Sequence, residues 1–213
     1  MRRFLLASAV WVCGTAAMAG STPDFGRAVA LAQDGQAGAA VAIFADLAQA
    51  GHRAAQVNLA VMLARGQGVP QDDQAATYWA WRARLAGETR AIAVSDLLLE
   101  RLTEAARAQL ADRLRADLSA RAEDGMPGQF AAIGRVEAQL RLPAKMDEAA
   151  LWFTLGAAFE EPGAFALREV SMAELEPKAR LAVQERAAAE FAKWCATMPQ
   201  DARPETCARD LRR

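Results

Sequence analysis

One set of residues recurs at fixed spacing along this chain, and it limits the folds open to the chain. The first match has an offset of 36 residues and aligns Ala40, Ile43, Leu47 and Gly51 with Ala76, Trp79, Ala83 and Gly87. The second has an offset of 73 residues and aligns Pro70, Ala76, Trp79, Leu102, Ala106 and Arg107 with Pro143, Ala149, Trp152, Leu175, Ala179 and Arg180. Single alanines match by chance, but Pro, Ala and Trp at one shared internal spacing favour a true repeat. The pattern predicts units that stack and share a core.

The repeated units are predicted to be helical. Alanine, leucine, arginine, glutamine and glutamate dominate the sequence, and no stretch alternates apolar and polar residues as a strand would. Apolar residues instead recur three and four positions apart, between short intervals of glycine or proline. The predicted fold class is all-α, with about ten helices near 24–34, 37–50, 53–65, 72–86, 89–101, 103–122, 128–141, 146–160, 163–173 and 176–197. Because the connections are short, adjacent helices are expected to pack antiparallel as hairpins.

The recurring residues have distinct packing roles within a repeat. Small side chains at Ala76 and Ala83 let two helix backbones approach closely, and the ring of Trp79 on the same face fills the space near the next unit. Trp152 is expected to do the same in the second copy. Gly87 can adopt the left-handed conformation that ends a helix. These five residues are the predicted packing core of the repeats.

The best match to a known pattern lies between Ala55 and Gly87. The matching positions are Ala55, Leu59, Leu63, Gly66, Gly68, Val69, Asp72, Ala76, Trp79, Ala83 and Gly87. They resemble a Sel-one-like repeat of the tetratricopeptide-like superfamily, with Ala60 in place of the usual glycine and Leu63 in place of the usual aromatic residue. This best repeat spans 53–87. Residues 128–160 resemble a degenerate copy, in which Gly134, Pro143, Ala149 and Trp152 keep their positions.

The resemblance implies a fold and a candidate surface. The implied fold is a right-handed α-α superhelix, a solenoid of antiparallel helix hairpins, over 20–198, although the sequence leaves open whether 88–125 continue it. The first helix of each hairpin usually lines the groove in this superfamily. The candidate protein-binding residues are Gln56, Asn58, Val61, Arg65 and Trp81. Trp81 is two positions from Trp79 and points the other way, either as an exposed anchor for a partner or packed against a neighbouring helix.

The first residues have the pattern of an export signal. Arg2 and Arg3 precede an apolar run that ends near Thr15, and small residues at Ala17 and Ala19 predict cleavage after Ala19. The alternative, a membrane anchor, needs about 20 apolar residues, more than this run has. Residues 1–19 are therefore predicted to be a signal peptide and the remainder to be periplasmic or secreted.

Two cysteines, Cys195 and Cys207, remain beyond the predicted signal. A pair of cysteines in an exported chain predicts a disulfide, which would tie the tail at 199–213 to the last helix. Two free thiols are the alternative. The spacing of the pair matches neither a redox motif nor a zinc site.

The sequence offers little for catalysis. His52 is the single histidine and lies at a turn, where a surface role is the simpler interpretation. Adjacent acids such as Glu160 and Glu161 are explained by capping and solvated helix ends. Neither Gly-x-Ser-x-Gly nor Ser-x-x-Lys occurs, nor does a phosphate loop or a His-Glu-x-x-His motif. The chain is predicted to have no catalytic residues, cofactor or metal ion.

Charge narrows the class of partner. The chain has 25 Lys and Arg against 26 Asp and Glu, so no basic excess exists to attract nucleic acid. The predicted partner is a protein or peptide, and the predicted function is an adaptor or scaffold in the cell envelope. The alternatives are a periplasmic enzyme or binder acting on cell-wall or β-lactam substrates, and a purely structural subunit.

Overall fold

The computed structural model describes residues 21–124, 128–198, 203 and 205–208. Its helices are α1 Ser21–Gln33, α2 Ala37–Gln49, α3 Arg53–Arg65, α4 Asp73–Leu85, α5 Ala91–Leu99, α6 Glu104–Glu123, α7 Gln129–Gln139, α8 Met146–Ala158, α9 Ala164–Ala173 and α10 Pro177–Thr197. A short 3-10 helix covers Glu205–Ala208. No strand occurs in the described ranges, so the all-α prediction is confirmed. The predicted signal peptide lies outside the described residues.

Side-chain caps and left-handed glycines explain the helix boundaries. The side chains of His52, Asp72 and Thr103 each accept a hydrogen bond from the backbone N–H three residues later, which begins α3, α4 and α6. His52 also stacks on the ring of Phe25, at 4.8 Å between centroids. Gly87 follows α4 with a φ of +87°, a conformation open to glycine at little cost.

The 73-residue offset in the sequence corresponds to a structural repeat of three helices and of the contacts between them. The starts of α8, α9 and α10 lie 73 residues after the starts of α4, α5 and α6, respectively. Helix α4 packs on α3, α5 and α6, and α8 packs on α7, α9 and α10 in the same way. The chain is thus built from two equivalent four-helix units, α3–α6 and α7–α10, preceded by the hairpin α1–α2. Helices α5 and α6 belong to this packing, because both contact α4 and α6 also contacts α7 of the next unit.

The hairpin prediction is wrong for two helix pairs. Helices α1 and α2, α3 and α4, and α7 and α8 pack against each other as expected. Helices α5 and α6 make little contact with each other, because both pack on α4. Helices α9 and α10 likewise make little contact, because both pack on α8. The short helices α5 and α9 therefore have one covered side and one open side.

Two large clusters of buried residues form the core. The first joins α1, α2, α3, α4 and α5 around Phe44 and Leu59. The second joins α4, α6, α7, α8 and α10 around Trp81, Leu114 and Leu155. Trp79 is partly buried and packs against both clusters, so α4 links the two halves of the core.

A buried glutamate fixes the start of the second unit. Glu161 is 8% exposed, and its carboxylate accepts hydrogen bonds from the backbone N–H groups of Phe130 at 3.1 Å and Ala131 at 2.7 Å. Both groups lie in the first turn of α7, where carboxylates stabilise free N–H donors and the helix dipole. The preceding residue, Glu160, has a φ of +57° at the position equivalent to Gly87. The turn after α8 therefore keeps the shape of the turn after α4 without its glycine.

Candidate protein-binding groove

The predicted binding residues on α3 and α4 do not form one open surface. Asn58 and Val61 are half-buried and Arg65 is exposed. Gln56, expected to face outward, is 2% exposed, and its Nε2 donates a hydrogen bond to the carbonyl oxygen of Ala48 at 3.0 Å. Trp81 is 1% exposed, so the exposed-anchor interpretation is wrong and the packed alternative holds. The physical reason is that α4 is covered on several sides, and the side opposite Trp79 faces the second core cluster.

Four of the five predicted packing residues lie in or beside the core, whereas Gly87 is exposed in the turn after α4. Ala76 and Ala83 are fully buried, and Trp152 is 9% exposed. Trp79 is only half-buried, although it had been expected to be the main ring of its repeat. In the first unit, Trp81 provides the larger buried ring.

A cavity lies between α6 of the first unit and α8 and α10 of the second unit, and we call it the α6–α8–α10 groove. Its volume is about 670 Å³. Its lining residues are Arg115, Ser119, Glu123, Glu148, Leu151, Trp152, Arg186, Ala189, Glu190, Lys193, Trp194, Thr197 and Met198. They recur at intervals of three and four along each helix, so each helix turns one face toward the groove.

The floor of the groove is aromatic and held rigidly. The ring of Phe130, from α7, stacks on Trp152 at 6.1 Å and meets Trp194 edge-on at 5.2 Å. Phe159 in turn stacks on Phe130 at 5.1 Å. Aromatic pairs at these separations add stabilisation beyond burial alone. The Phe130 ring therefore supports both indoles of the groove from the core side.

The rim of the groove carries both signs of charge. Arg115 lies 3.5 Å from the buried carboxylate of Glu137, and its guanidinium is 5.8 Å from the centre of the Trp152 ring. Arg186 forms an ion pair with Glu148, and Lys193 lies 3.6 Å from Glu190. Exposed pairs of this kind contribute little to stability and can exchange partners. The rim can thus offer either charge to a bound peptide.

Sequence reasoning missed this groove, although one signal pointed to it. The 73-residue offset aligns Trp79 with Trp152, Arg113 with Arg186 and the acid Asp117 with Glu190. In the first unit the guanidinium of Arg113 lies 3.8 Å from the centre of the Tyr78 ring. In the second unit the aligned Arg186 lines the groove together with Trp152 and forms an ion pair with Glu148.

A disulfide closes the chain beside the groove. Cys195 and Cys207 are bonded, with their Cα atoms 5.4 Å apart, and Cys195 follows Trp194 of the groove floor. The bond therefore ties the segment Glu205–Ala208 to the last helix near the end of the groove.

Breaking this disulfide should destabilise the fold measurably. We expect reduction, or the double change Cys195→Ser and Cys207→Ser, to lower the free energy of unfolding by about 3 kcal/mol, because the unfolded chain regains the freedom of the closed loop. Urea unfolding followed by circular dichroism, with and without reductant, measures the difference. Thiol labelling that appears only after reduction serves as the control. Equal unfolding midpoints in both states would contradict the expectation.

Other classes of site receive no support from the described residues. Within them, no group of three or more His, Cys, Asp and Glu is placed to hold a metal ion. No described helix is long and apolar enough to cross a membrane. No protein-family model, curated protein or solved structure matches the chain.

Proposed function

We propose that this chain is an exported helical-repeat protein of the Sel-one-like kind, and that it binds another protein in the cell envelope as an adaptor or scaffold. The α6–α8–α10 groove is the observation that carries the proposal. Tryptophan and arginine are the residues that most often dominate binding energy at protein interfaces, and the groove contains two of each. In this proposal the stacked units form a right-handed superhelix, and the groove lies along one of its faces.

The shape of the groove favours a peptide segment as its ligand. Its walls extend over 115–123 of α6 and 186–198 of α10. At 1.5 Å per residue these lengths correspond to roughly 12 Å and 18 Å, long enough for several residues of a partner. Such a segment can place apolar side chains against the half-buried ring of Trp194 while its charged groups pair with the rim.

Two features other than the groove support the proposed export, the disulfide and the predicted signal peptide. The disulfide is of the sort that persists in oxidising compartments. The predicted signal at residues 1–19 agrees with it. Detection of the mature chain in a periplasmic fraction, with its first residue at Gly20, tests this part of the proposal.

Two matched alanine changes test the groove. Ala189 lines it, whereas Ala192, on the same helix and also exposed, does not. We expect Ala189→Arg to reduce partner capture from periplasmic extract about tenfold or more, because a bulky cation would fill the groove, and Ala192→Arg to leave capture unchanged. Ser119→Arg, on the α6 wall, should act like Ala189→Arg.

The readout is quantitative capture of the same partner by the wild-type chain and the three variants, with helix content checked by circular dichroism. Equal capture by wild type and Ala189→Arg would show that the groove is not the binding site. Covalent labelling by a fluorescent penicillin would favour the cell-wall or β-lactam alternative instead.

A further inference from the structure

Two helices expose the same pattern of side chains. At the 73-residue offset, residues 91–101, which comprise α5 and the two residues after it, align with 164–174, which comprise α9 and one residue after it. The burial of the aligned side chains matches at nearly every position. The α5 face consists of Ile92, Ala93, Asp96 and Leu97, and the α9 face of Phe165, Ala166, Glu169 and Val170. Along the chain, each face therefore carries a large apolar residue, an alanine, an acid and a second large apolar residue, in that order. The four large apolar residues are 46%, 56%, 63% and 62% exposed, in chain order.

At other aligned positions the two units differ in the character of their residues, so the agreement between the α5 and α9 faces is informative. Ala111 on α6 is buried beneath neighbouring helices, whereas the aligned residue on α10 is an exposed glutamine, Gln184. This position is apolar where neighbouring helices cover it and polar where it is exposed. The exposed positions of α5 and α9 changed identity, from Ile92 to Phe165 and from Leu97 to Val170, yet stayed apolar. Exposed apolar patches that persist in this way mark interaction surfaces.

The charges on both faces make them complementary to each other. Asp96 forms an ion pair with Arg84, and the aspartate side chain is 57% exposed. Glu169 is 59% exposed and lies 2.7 Å from Arg168, whose guanidinium is 4.4 Å from the centre of the Phe165 ring. Each face thus offers an accessible acid with an arginine beside it. Two such faces can meet with each acid near the arginine of the other.

We propose that a second copy of this chain docks on these faces, with the α5 face of each copy against the α9 face of the other. One face covers only nine or ten residues of helix, about 15 Å in length and too little for a stable interface of about 1,200 Å². A two-fold dimer buries the α5 face and the α9 face of both copies, and it pairs the four large apolar residues of these faces. No residue of α5 or α9 lines the α6–α8–α10 groove. The dimer therefore presents two grooves, and it stands whether or not they bind a protein.

Light scattering and sedimentation of the purified full chain test the association. We expect the wild-type chain to dimerise at concentrations up to about 100 µM, and Leu97→Glu and Val170→Glu each to raise the dissociation constant about tenfold or more. Leu181→Glu is the control, since Leu181 on α10 is 62% exposed, as Val170 is, but belongs to neither face. A monomeric wild type overturns the proposal, and so does an equal effect of all three changes.

Cross-linking tests which helices meet. A chain carrying Leu97→Cys is mixed with a chain carrying Val170→Cys and oxidised. We expect cross-linked dimers from the mixture and few from either variant alone, because α5 meets α9 and not itself. Dimers that form equally well from Leu97→Cys alone would overturn the proposed arrangement, as would capture of a different envelope protein by the α5 face of a monomeric chain.

Discussion

Replacing Gly68 with alanine should lower the free energy of unfolding by about 2–5 kcal/mol, since a left-handed alanine costs about 1–2 kcal/mol and an overpacked contact about 1–3 kcal/mol. Gly68 lies between α3 and α4 with a φ of +74°, a conformation that L-residues other than glycine rarely adopt. A Cβ atom there would lie 2.3 Å from the carbonyl carbon and 2.5 Å from the carbonyl oxygen of Ala37, at the start of α2. Backbone atoms cannot swing aside as a side chain can, so the loop would have to leave α2.

Gly35→Ala separates the two causes. Gly35 has a φ of +80°, but nothing lies within 4 Å of a Cβ placed on it. We expect this control to cost about 1–2 kcal/mol, the conformational part alone. Urea unfolding of both variants, followed by circular dichroism, gives the difference that belongs to the clash. If Gly68→Ala were no more destabilising than Gly35→Ala, the close approach of the loop to α2 would be refuted.

The sequence predicted the helices well because their ends are marked by local signals. Every predicted boundary lies within three residues of the observed one. Caps such as Asp72 and Thr103, and glycines such as Gly66 and Gly87, act within one turn of the chain. The 73-residue offset also relates helices that are far apart in sequence, and the structure shows two units with equivalent contacts between their helices.

The environment of a side chain depends on helices far away in sequence, and there the predictions failed. Helical periodicity places Trp79 and Trp81 on opposite sides of α4 but does not say which side another helix covers. Trp81 lies in a cluster with Leu114 and Val136, which are contributed by α6 and α7. Gln56 satisfies a carbonyl of α2 rather than a bound peptide. Both residues had been placed by helical periodicity alone, which does not show that a second helix covers their side.

The groove was unpredictable for a related reason. Arg115, Trp152 and Trp194 come from three helices, and only the packing of α6 and α10 on either side of α8 brings them together. Trp194 meets the ring of Phe130, which lies far away in sequence, so the residues around Trp194 do not reveal this contact. A repeat comparison finds the pair Arg113 and Arg186, but it cannot find residues present in one unit only.

The same comparison between units distinguishes structural from functional surfaces. Alanines at 91 and 164 are fully buried in both units, as packing requires. Exposed residues carry no such requirement, so apolar side chains kept at 92, 97, 165 and 170 call for another cause. Association of two copies provides one. A dimer would also hold two grooves at a fixed distance, which raises the strength of binding to a partner with two matching segments.

Trp81→Ala is the second change with a large expected effect, a loss of about 3–5 kcal/mol in the free energy of unfolding. The Trp81 ring is 1% exposed and packs within the cluster that joins both four-helix units. Its removal leaves a cavity where α4, α6 and α7 meet, and the guanidinium of Arg84, 4.6 Å from the ring centre, loses its aromatic partner. Trp79→Ala, on the same helix, is the matched comparison. Because Trp79 is half-buried, we expect it to cost about 2 kcal/mol. Urea unfolding decides the order, and a larger loss for Trp79→Ala than for Trp81→Ala would mean that α4 is rotated relative to its neighbours.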